Sequence, residues 1–262
     1  MENITKGAVV LKSAPTAVDM GLINAQSIRE LKAEEVFLFR IAACDNQVDR
    51  DFECFSDAAL EALSKLFVGR TVLSDHRWSS SGQMARVYAA AAAPIRESGK
   101  LEGTPGVTLI GPKGRVEKES GVSRLILSCY MLRNDAAAPT IDAIEAGILR
   151  EVSVGVAVKT ATCSICGTDK ALGYCEHRPG KAYGGTLCTV ELGDPADAYE
   201  VSFVAVPAQR EAGVVKSYGG DKESPGNVSK LDTSGGEDAG RKKRLSALIE
   251  LEKMKFIEEV PV

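Results

Sequence analysis

Aromatic residues are scarce in this chain: 5% of 262 residues, with one tryptophan, Trp78, and only two histidines, His76 and His177. A core without many rings must be built mostly from Val, Leu, Ile and Ala. No run of about 18 apolar residues is present, so no membrane-spanning helix is expected. Met1-Glu2-Asn3-Ile4 lacks a basic stretch leading into an apolar one, so no secretory signal is expected there. The net charge of -4 gives no reason to expect nucleic acid as a partner. Seven cysteines in an apparently cytosolic chain argue against a disulfide framework. They argue instead for metal binding or buried thiols.

What is present is the composition of a soluble globular protein, 26% charged and 44% hydrophobic, long enough for one large domain or two small ones. The organising stretch is residues 150–158, Arg-Glu-Val-Ser-Val-Gly-Val-Ala-Val. Val152, Val154, Val156 and Val158 fall on one face of a strand, and Ser153, Gly155 and Ala157 on the other. The valine face suits a core. The second face carries one hydroxyl between very small residues. Either it packs tightly on a neighbouring strand, or it leaves room for another chain with Ser153 pointing at it.

Around this stretch the pattern predicts strands at 35–43, 71–73, 83–93, 122–132, 186–192 and 199–206. Helices are predicted at 57–67, with Ser56 as N-cap and Gly69 as its end, and at 140–147, ending at Gly147. A short helix is expected near 27–32 and a helical turn over 209–215. Residues 44–53 read as a polar loop, and 96–121 as a long hairpin or exposed loop. Many short strands, few helices and no βαβ rhythm give an α+β fold with a largely antiparallel, barrel-like sheet flanked by a few helices. Residues 1–33 form an N-terminal arm and 34–216 the main domain. Residues 217–240, rich in Gly, Ser, Asp and Lys, form a flexible linker. The end of the chain, 241–262, is amphipathic and helical over 241–257, with Leu245, Leu248 and Ile249 on its stripe. That stripe points to self-association.

Two clusters carry chemistry. Cys163-Ser-Ile-Cys166, followed by Cys175-Glu-His177, offers a tetrahedral ligand set of thiolates and one imidazole. It predicts a structural Zn²⁺ site in an insertion spanning 162–185. Cys188, on the next strand, could replace Cys175 or His177. Cys44, Cys54 and Cys129 read as ordinary residues. If His177 binds metal, His76 is the one imidazole left for catalysis. It ends a strand in Leu73-Ser74-Asp75-His76. A hydroxyl becomes nucleophilic when a base reaches it and a third group orients the base. Ser153 is the candidate nucleophile, His76 the base and Glu200 the third member. Asp75 is weaker, because in an extended chain its side chain points away from that of His76.

Several segments together resemble the prohead maturation proteases of tailed bacteriophages, relatives of the herpesvirus protease assemblin. They are the polar loop before the first helix, Val72-Leu73-Ser74-Asp75-His76, Gly82-Gln83-Met84-Ala85-Arg86-Val87, Glu151-Val152-Ser153-Val154-Gly155, and the strand from Glu200 to Pro207-Ala208. The resemblance covers about residues 35–216. It implies a serine endopeptidase using His76, Ser153 and Glu200. It also implies scaffold and major capsid protein as substrates, self-cleavage, and a place inside the assembling prohead in the host cytoplasm. The alternative is a non-enzymatic capsid assembly or scaffolding protein with a protease-like body.

Overall fold

Ten strands and three α-helices are set out in the computed structural model, which describes residues 14–94, 121–210 and 212–214. The expected linker at 217–240, the terminal helix at 241–262 and most of the 96–121 loop lie outside those residues.

The first apolar run becomes β1 (Val36–Asp45), followed by a short β2 (Glu53–Phe55). Ser56 then accepts a hydrogen bond from Ala59 N and starts α2 (Asp57–Leu66). Leu60 and Leu63 on its inner face are fully buried. Gly69 takes φ +86°, a left-handed turn that suits glycine, and the chain enters β3 (Thr71–Ser74). The long strands β4 (Ala85–Pro94) and β5 (Ser123–Leu132) pair antiparallel, and β5 also pairs with β1. After α3 (Ala138–Glu145) come β6 (Val152–Cys163), the small hairpin β7 (Ala182–Tyr183) and β8 (Thr186–Leu187), then β9 (Val190–Phe203) and β10 (Gly213–Val214).

Eight strands make one sheet in the order β10-β1-β5-β4-β3-β9-β2, with β6 also on β9. The fold is mixed α+β with a sheet-dominated core. The expected barrel is not closed among the described residues. The ladder ends at β10 and β2, and β6 meets β10 only through an isolated bridge, Glu151–Gly213. The sheet is largely antiparallel, as expected, with two parallel pairings, β2 and β3 each on β9.

Three local expectations are also corrected. The helix of the N-terminal arm, α1, is at Ala17–Asn24 rather than near 27–32, because Thr16 and Asp19 form a reciprocal capping box there. In the described part of the 209–215 segment, Ala212 N–H donates to Gln209 O in a single turn, and the chain does not continue as helix. It leads into β10, and the buried amide of Gln209 is tied to the backbone of Asp45. Finally, the two separate strands expected near 190 and 200 are one continuous β9, which Gly193 and Pro195 concealed.

One core lies between α2, α3 and the sheet, with Phe37, Phe39 and Phe203 stacked in series and Val152, Val201 and Ile144 around them. A smaller one seats α1 on the other face of the sheet, through Ile23, Leu38 and Tyr88. Both faces of β1 are therefore covered, which explains its nearly unbroken apolar run. The valine face of β6 points into the main core, with Val152 fully buried.

Candidate functional site

β9 is flanked by β6 on one side and β3 on the other, and that sandwich assembles the site. Across β6 and β9, Ser153 faces Ser202 and Gly155 faces Glu200. Residues directly opposite in a ladder project to the same side. These four positions therefore share the face away from the valines. β3 delivers the imidazole. Ser74 is level with Phe203, and Asp75 N donates to Phe203 O. Asp75 and His76 then both take positive φ, 54° and 53°. Two consecutive non-glycine residues in the left-handed region cost about 1–3 kcal/mol each and are held only where the surroundings demand it. The turn swings His76 back over β9. The extended geometry expected for Asp75 and His76 is thus replaced by a tight reversal. In it Asp75 accepts from the Ser74 hydroxyl and does not reach the ring.

His76 Nδ1 lies 2.7 Å from Glu200 Oε1. The Glu200 side chain is 2% exposed and that of His76 41%. A carboxylate can only accept, so Nδ1 is the donor of this bond, and in a neutral ring the lone pair is then on Nε2. Ser202, fully buried, holds the other carboxylate oxygen: its hydroxyl donates to Glu200 Oε2 and accepts from His76 N–H at 3.1 Å. Its proton is committed to that carboxylate, and it ties Glu200 to the His76 backbone. The sequence reading gave it no role. The signal was its two-residue offset from Glu200 on the same strand face. Gly155 also has a different role from the one expected. The space its missing side chain leaves is filled by the Glu200 carboxylate, which a Cβ at 155 would overlap. Ser153 is half-buried, and its hydroxyl makes no hydrogen bond with any described residue. The structure joins His76 to Glu200 directly, and sets Ser153 one strand away on the same face.

The second cluster closes the far end of the β6–β9 hairpin. Cys163 is the last residue of β6 and pairs with Val190, the first of β9. The ligand atoms of Cys163, Cys166, Cys175 and His177 all lie within 4.8 Å of one another. Donors on one tetrahedral ion at about 2.0–2.3 Å stand roughly 3.3–3.8 Å apart, so a small contraction suffices. The buried Nδ1 of His177 has no hydrogen-bond partner among the described residues, which fits a nitrogen able to ligate a cation. Burial opposes ionisation of Cys163. N–H groups of Cys166 and Ile165 and the thiols of Cys166 and Cys175 outweigh it and bring the Cys163 thiol down to about 7. The Thr168 hydroxyl and N–H lower Cys166 as well. These Cys and His residues could hold a metal ion. Cys188, 3.9 Å from Cys163, is raised, first by burial and then by Cys163 itself. No disulfide joins any of the seven cysteines, all of them among the described residues, and burial pushes the thiols of Cys44 and Cys129 well up. No helix among the described residues is long and apolar enough to cross a membrane.

Comparison with known proteins points elsewhere than the sequence motifs did. Residues 82–164 match the family model of phosphate propanoyltransferase. The phosphate propanoyltransferase of Thermotoga maritima is 62% identical over 29 residues, 11% of this chain and 14% of that protein. That of Rhodobacter capsulatus is 49% identical over 43 residues, 16% of this chain and 20% of that protein. The chain thus spans a fifth or less of the length of the curated relatives it matches. No solved structure matches it.

These matches overturn the prohead-protease resemblance, since the family model and both relatives carry an acyltransferase name. With it fall endopeptidase activity, self-cleavage, the capsid and scaffold partners and the alternative of a scaffolding protein. The physical reason is the low information in the quoted motifs. Short alternating strands with a serine, and a histidine closing a strand, recur wherever a sheet presents a hydroxyl to a base. The matched stretch contains Ser153 and Cys163 but neither His76 nor Glu200.

Proposed function

We propose that this chain is an acyltransferase that moves a short acyl group, such as the propanoyl group in the matched relatives' name, from a thioester to phosphate. The likeness of residues 82–164 to phosphate propanoyltransferase supports the reaction class. The observation that carries the mechanism is the hydrogen bond from His76 Nδ1 to the buried Glu200, which leaves Nε2 free as a base.

In this reading Glu200 orients the ring and stabilises the imidazolium that forms. His76 Nε2 takes the proton of Ser153 as its oxygen attacks the thioester carbonyl. The carbon–sulfur bond breaks, the thiol leaves with that proton, and Ser153 carries the acyl group as an ester. A hydrogenphosphate oxygen then attacks the ester carbonyl as His76 Nε2 takes that phosphate's proton, and His76 passes it to Ser153 as the ester bond breaks and the acyl phosphate departs. Ser202 keeps Glu200 and the His76 backbone in place throughout. The reactive unit is residues 34–216, with 162–185 as its insertion.

The metal is proposed to be Zn²⁺, held by Cys163, Cys166, Cys175 and His177. Four protein donors leave no open position, so its contribution is a structural cross-link. Ten residues of extended strand separate Ser153 from Cys163, about 33 Å at roughly 3.3 Å each, too far for the ion to act on the reaction.

The test is incubation of the purified chain with propanoyl-coenzyme A and phosphate, trapping acyl phosphate as the hydroxamate and looking for a propanoyl adduct on Ser153 by mass spectrometry. Acyl phosphate from the wild type, with none from His76→Ala, is the expected result. A folded wild type that yields neither product nor adduct would overturn the reading.

A further inference from the structure

Trp78 is 70% exposed and Tyr199 41% exposed, and their rings touch, with centroids 5.3 Å apart at 53°. In a chain so poor in aromatics, two large rings left open to water at one spot call for an explanation. Their attachment is specific. Trp78 is two residues beyond His76, just past the left-handed turn. Tyr199 adjoins Glu200, and it is the residue skipped in the ladder where Gly155 pairs with Glu200 and Val156 with Ala198. A bulge of this kind redirects a side chain and is common beside active sites. The bulge carries Tyr199 to the loop that holds Trp78, so each ring is tethered to one member of the His76–Glu200 pair. Neither ring takes part in a core: the described hydrophobic clusters exclude both. Both also lie outside the stretch that matches the phosphate propanoyltransferases.

We infer that Trp78 and Tyr199 form the platform on which the apolar chain of the acyl donor lies while its carbonyl is presented to His76 and Ser153. This rests on the acyl-transfer reading and adds where chain-length preference resides. The rings are specificity-determining and touch no reacting atom. A longer chain covers more ring surface, so binding tightens with chain length without changing the reaction at the carbonyl.

The experiment has two arms. In the first, KM and kcat are measured for acetyl, propanoyl, butanoyl and hexanoyl thioesters of coenzyme A. The wild type is expected to show a KM that falls with chain length. Trp78→Ala and Tyr199→Ala are expected to raise the hexanoyl KM about tenfold and flatten the series at unchanged kcat, and Trp78→Phe to restore it. In the second arm, unreactive hexanamide and acetamide are titrated against the emission of Trp78, the one tryptophan of the chain. Hexanamide is expected to shift the emission to the blue, acetamide not, and Tyr199→Ala is expected to abolish the shift. Turnover with unaltered KM values in both alanine variants overturns the platform, as does wild-type emission that hexanamide leaves unmoved. Emission that shifts with hexanamide in a chain that forms no acyl phosphate supports the platform while removing the reaction proposed for the site.

Discussion

His76 and Glu200 are 124 residues apart in sequence and 2.7 Å apart in space, and the carboxylate is almost fully buried beneath the ring. A buried carboxylate that orients an imidazole supports catalysis more than stability, because burying its charge is itself costly. Glu200→Gln keeps the shape, but its amide no longer fixes the tautomer. Acyl phosphate formation is expected to fall by about 10²–10⁴-fold while the thermal midpoint changes little. A full-rate Glu200→Gln enzyme would remove the pair from the mechanism.

Gly155→Ala places a methyl group where the Glu200 carboxylate sits. Glu200 must move or the strands must part, and overpacking of this kind costs about 1–3 kcal/mol. Chemical denaturation should report that loss, accompanied by a drop in acyl transfer. Ala157→Gly, on the same face one step along, should leave acyl transfer near the wild-type rate.

Removing the metal should act on the hairpin. With a chelator, proteolysis is expected to cut within 164–189 first, and the melting temperature to fall. Adding Zn²⁺ back should restore both. Metal analysis should find about one equivalent in the untreated protein, and His177→Ala should retain less than half of it.

The cap of α2 allows a stability test away from both sites. Ser56→Ala removes the acceptor for Ala59 N. It should cost about 1 kcal/mol, within 0.5–2, with Ser56→Asp restoring most of it and activity untouched.

Acid should loosen the link between α1 and β1. Glu35 accepts from the Arg29 guanidinium and from Lys32 N, and these hold its carboxyl at about 2 against an ordinary 4.5. For a depressed carboxyl, the stabilisation is complete above the unfolded value. It is therefore expected to fade as pH falls from about 4.5 toward 2, and to be absent in Glu35→Gln. A carbon-13 titration of the Glu35 carboxyl would check both statements.

Local physics was legible wherever one residue type had one job. Ser56 announced α2, the apolar run after residue 35 announced β1, and the spacing of Cys163, Cys166, Cys175 and His177 announced a site whose ligand atoms converge. Tertiary constraints were not. β2 is too short and too polar at Glu53 to read as a strand, and it exists because β9 pairs with it in parallel. β9 hid its length behind Gly193, Pro195 and an Asp194 at φ 44°. The turn at Asp75 and His76 could not be read, because neither residue is glycine. His76 and Glu200 were set together as candidate base and third member from the residues and again by a resemblance that the family comparisons overturned, and the structure brings them together by geometry.

The β6–β9 hairpin has the cluster of Cys163, Cys166, Cys175 and His177 at one end and Ser153, Gly155, Glu200 and Ser202 in facing positions at the other. Strand side chains alternate with a period of two, so a slip of one residue would turn Ser153 or Glu200 toward the valine side. An ion held at the loop end of so long a ribbon would therefore be a frame-keeper. It would fix the pairing of Cys163 with Val190, and the two register shifts between there and Gly155, each adding one residue to β9, together bring Ser153 and Glu200 back to one face.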